Sequence, residues 1–307
     1  MMSIRTSLLK SVAGLAILVL LVAAIGVIVH YLMPPKQPLK SERREKPVAI
    51  KKERLPEKPT FEIYPKVIIP SDRPVTKPKR PPAQKLPKVA IIIDDLGYDK
   101  KIAEEFIALD AAFTFSILPH SPQQKKIVRL AKKRGLEIML HLPMEPLEYP
   151  AVNPGAGTLL TSMSPNQLLD QLEKNLNDIP SAAGVNNHMG SKLTAESDQM
   201  NQIFSILKKR GLFFIDSRTT ADTLCRPSAK LFKVPFAQRD VFIDHFQRPE
   251  FIREQIRQLI ETAKRHGEAV GIAHPHLETI KVLREMLPEI QKNVQMVPAS
   301  EIVHIIG

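Results

Sequence analysis

A short apolar run that ends in two carboxylates constrains the fold of this chain more than any other feature. Residues 89–93 are Val-Ala-Ile-Ile-Ile, and Asp94, Asp95, Leu96 and Gly97 follow directly. Such runs are typical of strands buried on both faces, which occur in parallel sheets. A core excludes unpaired carboxylates, so the two aspartates mark the end of the strand, where parallel α/β folds carry out their chemistry. A helix cap would account for one aspartate but not for both.

Strands alternate with amphipathic helices over the rest of the chain. Eight predicted strands lie between Val89 and Val297, with six predicted helices between them, which include Pro165–Asp178 and, as the last, Glu278–Leu287. Three of the helices end in basic residues followed by glycine, which is the expected helix stop. This alternation predicts a parallel sheet, either a barrel or a doubly wound sheet.

The N-terminal part has a different composition. A short tail, residues 1–10, precedes an almost unbroken apolar segment, residues 11–33, which is long enough to cross a bilayer as a helix. This segment ends in His-Tyr-Leu-Met-Pro-Pro, a poor cleavage site, so an uncleaved signal anchor is favoured over a cleaved signal peptide. Residues 34–87 contain 13 of the 27 prolines, which predicts an extended linker before the folded domain of residues 88–307.

Most of the positive charge lies in this linker. The net charge is +12, of which residues 1–33 carry +2, residues 34–87 carry +9 and residues 88–307 carry +1. A domain that reads DNA would carry its own basic face, and a stacking platform for single strands needs more aromatic residues. We therefore expect no nucleic-acid partner. The single cysteine, Cys225, excludes an internal disulfide framework and a cysteine-rich zinc site.

The charges around the apolar segment bear on membrane orientation. Lys and Arg are more numerous after the segment than before it, and the positive-inside rule alone would keep the C-terminal domain in the cytoplasm. Long domains, however, are translocated largely regardless of charge. We expect a single-pass anchor in the inner (cytoplasmic) membrane, with residues 88–307 on the extracytoplasmic, periplasmic side.

Polar residues follow six of the predicted strands. The carboxyl ends of parallel strands meet at one face, so these side chains are expected to converge. Imidazoles and carboxylates together suit a divalent metal, most commonly zinc, with an open position that activates a water molecule. The strand-end residues are Asp94, Asp95, His141, Glu145, Asn187, His188, Ser191, Asp216, Arg218, Arg239, Asp244, His274 and His276.

For several of these residues, a structural role is the alternative to a catalytic or metal-binding role. Buried ion pairs would also explain Asp216 with Arg218, or Arg239 with Asp244. A hydrogen-bonded structural role is the alternative to metal ligation for His188. Metal-free glycoside hydrolysis by the strand-end carboxylates is a further chemical alternative.

Six segments resemble the motifs of a known family. They are residues 93–97, 141–146, 187–191, 214–219, 239–244 and 271–275. Their order and spacing resemble the divergent polysaccharide deacetylase family, an offshoot of the NodB-like carbohydrate esterases. The resemblance covers the chain from about Lys88 onward. It implies a (β/α)7-type barrel and metal-dependent hydrolysis of N- or O-acetyl groups on a carbohydrate.

The resemblance also implies residue roles. Asp94 matches the general base, Asp95 matches a metal ligand, and His141 matches the first histidine of the His-x-x-x-His metal motif. His274 matches the histidine that protonates the leaving amine. The position of the second metal histidine holds Glu145.

This departure leaves the third ligand open. Either Glu145 binds the metal, or His188 does so from the next strand end, or the metal is lost. With a metal, we expect deacetylation of an envelope or extracellular polysaccharide, with zinc as cofactor. Without one, the alternative is a catalytically silent barrel that acts as an envelope binding or scaffolding module. Residues expected to orient the catalytic groups are Asp216, Arg218 and Arg239. Residues expected to contact the substrate are Asn187, Ser191 and His276.

Overall fold

The computed structural model describes residues 85–307. The predicted tail 1–10, the predicted anchor 11–33 and nearly all of the linker 34–87 lie outside the described residues. From residue 85 onward, no helix combines the length and apolarity needed to cross a membrane.

Nine strands and seven helices alternate along the described residues. The strands are β1 (Lys88–Leu96), β2 (Phe113–Ile117), β3 (Glu137–Met144), β4 (Gly184–Met189), β5 (Phe213–Asp216), β6 (Phe236–Gln238), β7 (Val241–Phe242), β8 (Glu268–Ala273) and β9 (Gln295–Met296). The helices are α1 (Lys100–Ile107), α2 (Gln124–Lys133), α3 (Pro165–Asp178), α4 (Ser197–Arg210), α5 (Cys225–Phe232), α6 (Pro249–His266) and α7 (Leu277–Asn293).

The strands form one parallel sheet in the order β6-β5-β4-β3-β2-β1-β8-β7, and β9 pairs with the start of β1. Ile215 of β5, Ile92 of β1 and Ile272 of β8 share one buried cluster, although three strands separate β5 from β1. The sheet must therefore curl. It is a curled half-barrel, and no pairing among the described strands closes it between β6 and β7.

Alternation along each strand determines which side chains face the inside of the half-barrel. In β1, Ala90 and Ile92 face the interior, whereas Ile91 and Ile93 join the cluster that packs under the helices. The next interior position is Asp94. The same period of two directs further polar side chains inward at the ends of β3, β4 and β8. These are His141, Asn186, His188 and, directly after β8, His274.

A bulge redirects Asp95. The pairing of β1 with β2 shifts register between Ile93 and Leu96, and Asp95 has a left-handed backbone with φ 56°. Strict alternation would point this side chain at the helices. The irregularity instead brings its carboxylate to His141 and His188. Bulges often re-aim a side chain beside an active site.

The sequence pattern misses two short elements and one helix end. It does not predict β6 or α5, and it ends the last helix at Leu287, before Pro288. The observed α7 continues through Pro288 to Asn293, and Ile290 is buried beyond it. Burial of that apolar turn outweighs the backbone hydrogen bond that proline removes.

Candidate metal centre and active site

Three side chains from different strand ends converge at the interior face of the half-barrel. Asp95 Oδ1 lies 3.1 Å from His141 Nε2 and 2.9 Å from His188 Nδ1. The two ring nitrogens lie 3.1 Å from each other. Among the described residues, these three form the one group of His, Cys, Asp or Glu side chains with metal-binding proximity.

The chemistry of this group fits a divalent cation. Asp95 Oδ1 is buried and has no hydrogen-bond partner of good geometry among residues 85–307, although two ring nitrogens lie within 3.1 Å of it. Zinc bound at 2.0–2.1 Å in tetrahedral geometry separates its ligand atoms by roughly 3.3 Å, close to the observed separations. Burial raises the pKa of Asp95, but His141 and His188 outweigh burial and hold that pKa well below its usual range. A carboxylate must be ionised to ligate a metal.

Asp94 lies next to this group and is almost fully buried. Its Oδ2 atom is 3.8 Å from His141 Nε2, and the Asn186 amide nitrogen donates to both carboxylate oxygens at 2.8 and 3.0 Å. Burial raises the pKa of Asp94 above its ordinary value, and His141, His274 and Asn186 counteract that rise only in part. A raised pKa makes a carboxylate a stronger base.

His274 forms a dyad with Asp244 on the other side of Asp95. His274 Nδ1 lies 2.9 Å from Asp244 Oδ1, and Thr279 donates to the other oxygen of Asp244. Burial would lower the pKa of His274, but Asp244, with the charges of Asp94 and Asp95, raises it to about 9. The ring is therefore protonated at neutral pH, and its Nε2 atom, 4.0 Å from Asp95 Oδ2, is placed to donate a proton.

Glu145 does not join the group. Its Oε1 atom accepts from Lys192 Nζ at 2.7 Å, and its Oε2 atom accepts from the Thr161 amide. The carboxylate thereby links the loop after β3 to the loop after β4. Of the two candidates for third ligand, the structure brings His188 to Asp95 and His141 and leaves Glu145 paired with a lysine.

The ion pairs considered from the sequence do not form within residues 85–307. Asp216 accepts from the Arg218 backbone amide and the Thr223 hydroxyl, and the Arg218 side chain is exposed. Arg239 donates to the carbonyl oxygens of Ser217 and Arg218. Asp216 and Arg239 thus hold the loop after β5 beside the site. Glycoside hydrolysis by several carboxylates loses support, because Glu145 and Asp216 are both engaged in these other contacts.

The residues expected to contact substrate divide into two kinds. Asn187 is buried and bonds to the backbone of Ser217 and Met189, and Ser191 accepts from the Leu147 amide. Both hold loops in place. His276 is half-buried, its ring centroid lies 6.1 Å from that of His274, and it faces Gln247. It is the one of the three that lies beside the proton donor.

Two residues of the site have no catalytic role in the sequence analysis. Asn186 bonds to Asp94 and His141, and Asp244 orients His274 rather than pairing with Arg239. The alternation of β4 would have found Asn186, since it shares the interior face with His188.

The comparison with known families decides the identification. The profile of the divergent polysaccharide deacetylase family matches residues 91–303. The chain belongs to this family. The resemblance drawn from the sequence motifs is thereby confirmed.

Relatives extend over most of the same region. YibQ of Escherichia coli K12, described as an uncharacterized protein, is 33% identical over 217 residues, which is 71% of this chain and 67% of YibQ. An uncharacterized Haemophilus influenzae protein is 34% identical over 210 residues, 68% of this chain and 74% of that protein. A crystal structure of an uncharacterized Agrobacterium tumefaciens C58 protein superposes with a TM-score of 0.69 at 27% identity, covering 73% of this chain and 92% of the other.

Proposed function

We propose that this member of the divergent polysaccharide deacetylase family hydrolyses N- or O-acetyl groups on an envelope or extracellular polysaccharide, with a divalent metal, zinc, held by Asp95, His141 and His188. One observation carries the proposal. Three ligand atoms converge beside a buried carboxylate with a raised pKa and opposite a protonated imidazole. Metal-dependent hydrolysis of an amide or ester uses this combination of base, acid and electrophile.

The metal, Asp94 and His274 have separate roles in the proposed reaction. When bound, the metal would polarise the acetyl carbonyl and lower the pKa of a water molecule. Asp94 accepts the proton of the attacking water at its carboxylate, which Asn186 holds in place. His274 donates a proton from Nε2 to the leaving nitrogen or oxygen, and Asp244 stabilises the imidazolium until transfer. Arg239 and Asp216 keep the neighbouring loop rigid.

The proposal also includes the barrel type and the membrane anchor. The half-barrel corresponds to the (β/α)7-type barrel of NodB-like enzymes, open between β6 and β7. The apolar segment 11–33 anchors the chain in the inner membrane, and the proline-rich linker extends the catalytic domain into the periplasm. The length of the apolar segment and the composition of the linker support this arrangement.

Metal content and acetate release test the proposed function together. We expect the wild-type protein to retain a divalent metal and to release acetate from N- or O-acetylated glycans. Asp95→Ala and His141→Ala should lose both properties, with a loss of activity of about 100-fold or more. Matched controls are the exposed Asp222→Ala and His266→Ala, which should behave as wild type.

The alternative of a silent scaffold makes the opposite prediction. It requires that the wild-type protein release no acetate from any acetylated glycan, and that Asp95→Ala leave the cellular phenotype unchanged. A wild-type protein without metal and without acetate release would refute the deacetylase proposal.

A further inference from the structure

Asn186 contacts two of the proposed reaction groups, Asp94 and His141. Its side chain is completely buried on the interior face of β4. The Nδ2 atom lies 2.8 and 3.0 Å from the two oxygens of Asp94 and 3.2 Å from Ser217 Oγ. The Oδ1 atom lies 2.9 Å from His141 Nδ1 and also contacts Ser116 Oγ. One amide therefore touches both the proposed base and a proposed metal ligand.

The partners of this amide dictate its orientation. An ionised carboxylate only accepts hydrogen bonds, so the NH2 group of Asn186 must face Asp94. The amide oxygen then faces His141, and it too can only accept. His141 must therefore donate from Nδ1–H. In the neutral ring that metal binding requires, the Nε2 atom then carries the lone pair, and that atom is the one 3.1 Å from Asp95 Oδ1.

We propose that Asn186 is a positioning residue that couples the two parts of the site. It sets the tautomer of His141 that metal binding requires, and it holds the Asp94 carboxylate ready to accept a proton. The first role depends only on metal binding. The second rests on the proposed function, because it concerns catalysis by Asp94.

Two substitutions at this position separate the roles. Asn186→Asp keeps an oxygen that accepts from His141 Nδ1–H, but it replaces the donor facing Asp94 with a second acceptor. Asn186→Leu has a similar volume and removes both contacts. Ser217→Ala is the matched control, since it removes only the third contact of Nδ2 and leaves Asp94 and His141 untouched.

Zinc affinity and acetate release by the full chain form the test. Asn186→Leu should bind zinc roughly 10–100-fold more weakly, the usual effect of removing a partner of a ligating histidine. Asn186→Asp should bind zinc at least as tightly as wild type, yet show a kcat at saturating zinc that is lower by roughly 100-fold. Ser217→Ala should match wild type in both measurements.

Each result has a definite consequence. Wild-type zinc affinity in Asn186→Leu would overturn the role toward His141, and wild-type kcat in Asn186→Asp would overturn the role toward Asp94. Nitrogen NMR of the zinc-loaded wild-type protein needs no variant: it should show a proton on His141 Nδ1, and a proton on Nε2 instead would refute the tautomer. If wild type binds zinc but releases no acetate, the proposed deacetylation and the role toward Asp94 fail. The affinities and the NMR still decide the role toward His141.

Discussion

At the scale of single residues, Glu145 and His188 show how the proposed metal site differs from the family motif. Glu145 occupies the position where the family motif has its second histidine, but its carboxylate pairs with Lys192. His188 reaches Asp95 and His141 from the adjacent strand. The proposed third ligand therefore comes from the end of β4 instead of the loop after β3.

The raised pKa of His274 predicts that this residue contributes to stability in a pH-dependent way. Its pKa is about 9 in the folded protein, above the ordinary value of 6.5. A group whose pKa is raised by folding stabilises the folded state. This stabilisation is complete below the ordinary pKa of the group, and it is lost as the pH rises through the pKa of the folded state. In metal-free protein, the free energy of unfolding of wild type relative to His274→Gln should fall by roughly 3 kcal/mol between about pH 6 and pH 10.

Urea unfolding in the presence of a chelator, repeated across this pH range, measures the difference. Asp244→Asn removes the main partner of His274 and should flatten the dependence when paired with the same His274→Gln change. A difference between wild type and His274→Gln that stays constant from pH 6 to pH 10 would show that Asp244 does not raise the pKa of His274.

At the scale of secondary-structure elements, local sequence signals explain why some helices and strands can be predicted and others cannot. The bounds of α3 agree with its prediction because Pro165 starts the helix and Ser164 and Gln167 form a capping box. The short α5 ends at Lys233 in the left-handed conformation without a glycine, so no stop signal marks it. The three residues of β6 are too few for a period to show.

Local sequence patterns also explain which side-chain directions can be predicted at the strand ends. An alternating pattern suffices to place Asp94, His141, His188 and His274 on one face, because each lies two residues beyond a buried interior position or continues that series. Asp95 is different. Its inward direction depends on a bulge and a positive φ, and no residue type near it signals a bulge. The family resemblance, rather than the periodicity, indicates that Asp95 belongs to the proposed site.

At the scale of the whole molecule, charge and chemistry are separated along the chain. The linker carries +9 and the domain of residues 88–307 carries +1, while every residue of the proposed centre lies in the domain. A positively charged linker can associate with anionic lipid or acidic envelope polymers without affecting the site. This division is consistent with an anchored enzyme whose domain reaches its substrate at a distance from the bilayer.

Reporter fusions test the proposed membrane arrangement. A C-terminal reporter enzyme that requires disulfide bonds should be active, because the proposed arrangement puts the domain in the oxidising periplasm. Deletion of residues 1–33 should abolish that activity and move the protein from the membrane fraction to the soluble fraction. Reporter activity confined to the cytoplasm would contradict the orientation, and membrane association without residues 11–33 would contradict the anchor.

The zinc dependence of thermal unfolding, measured on the full chain, tests whether Asp95, His141 and His188 form a metal centre. A ligand that binds only the folded state, at 100 times its Kd, stabilises it by about 2.7 kcal/mol, which raises Tm by roughly 5–10 °C for a domain of this size. We expect this rise in wild type and in Glu145→Gln, and no rise in His188→Ala. An equal rise in His188→Ala, or its loss in Glu145→Gln, would contradict the assignment of Asp95, His141 and His188 as the metal centre.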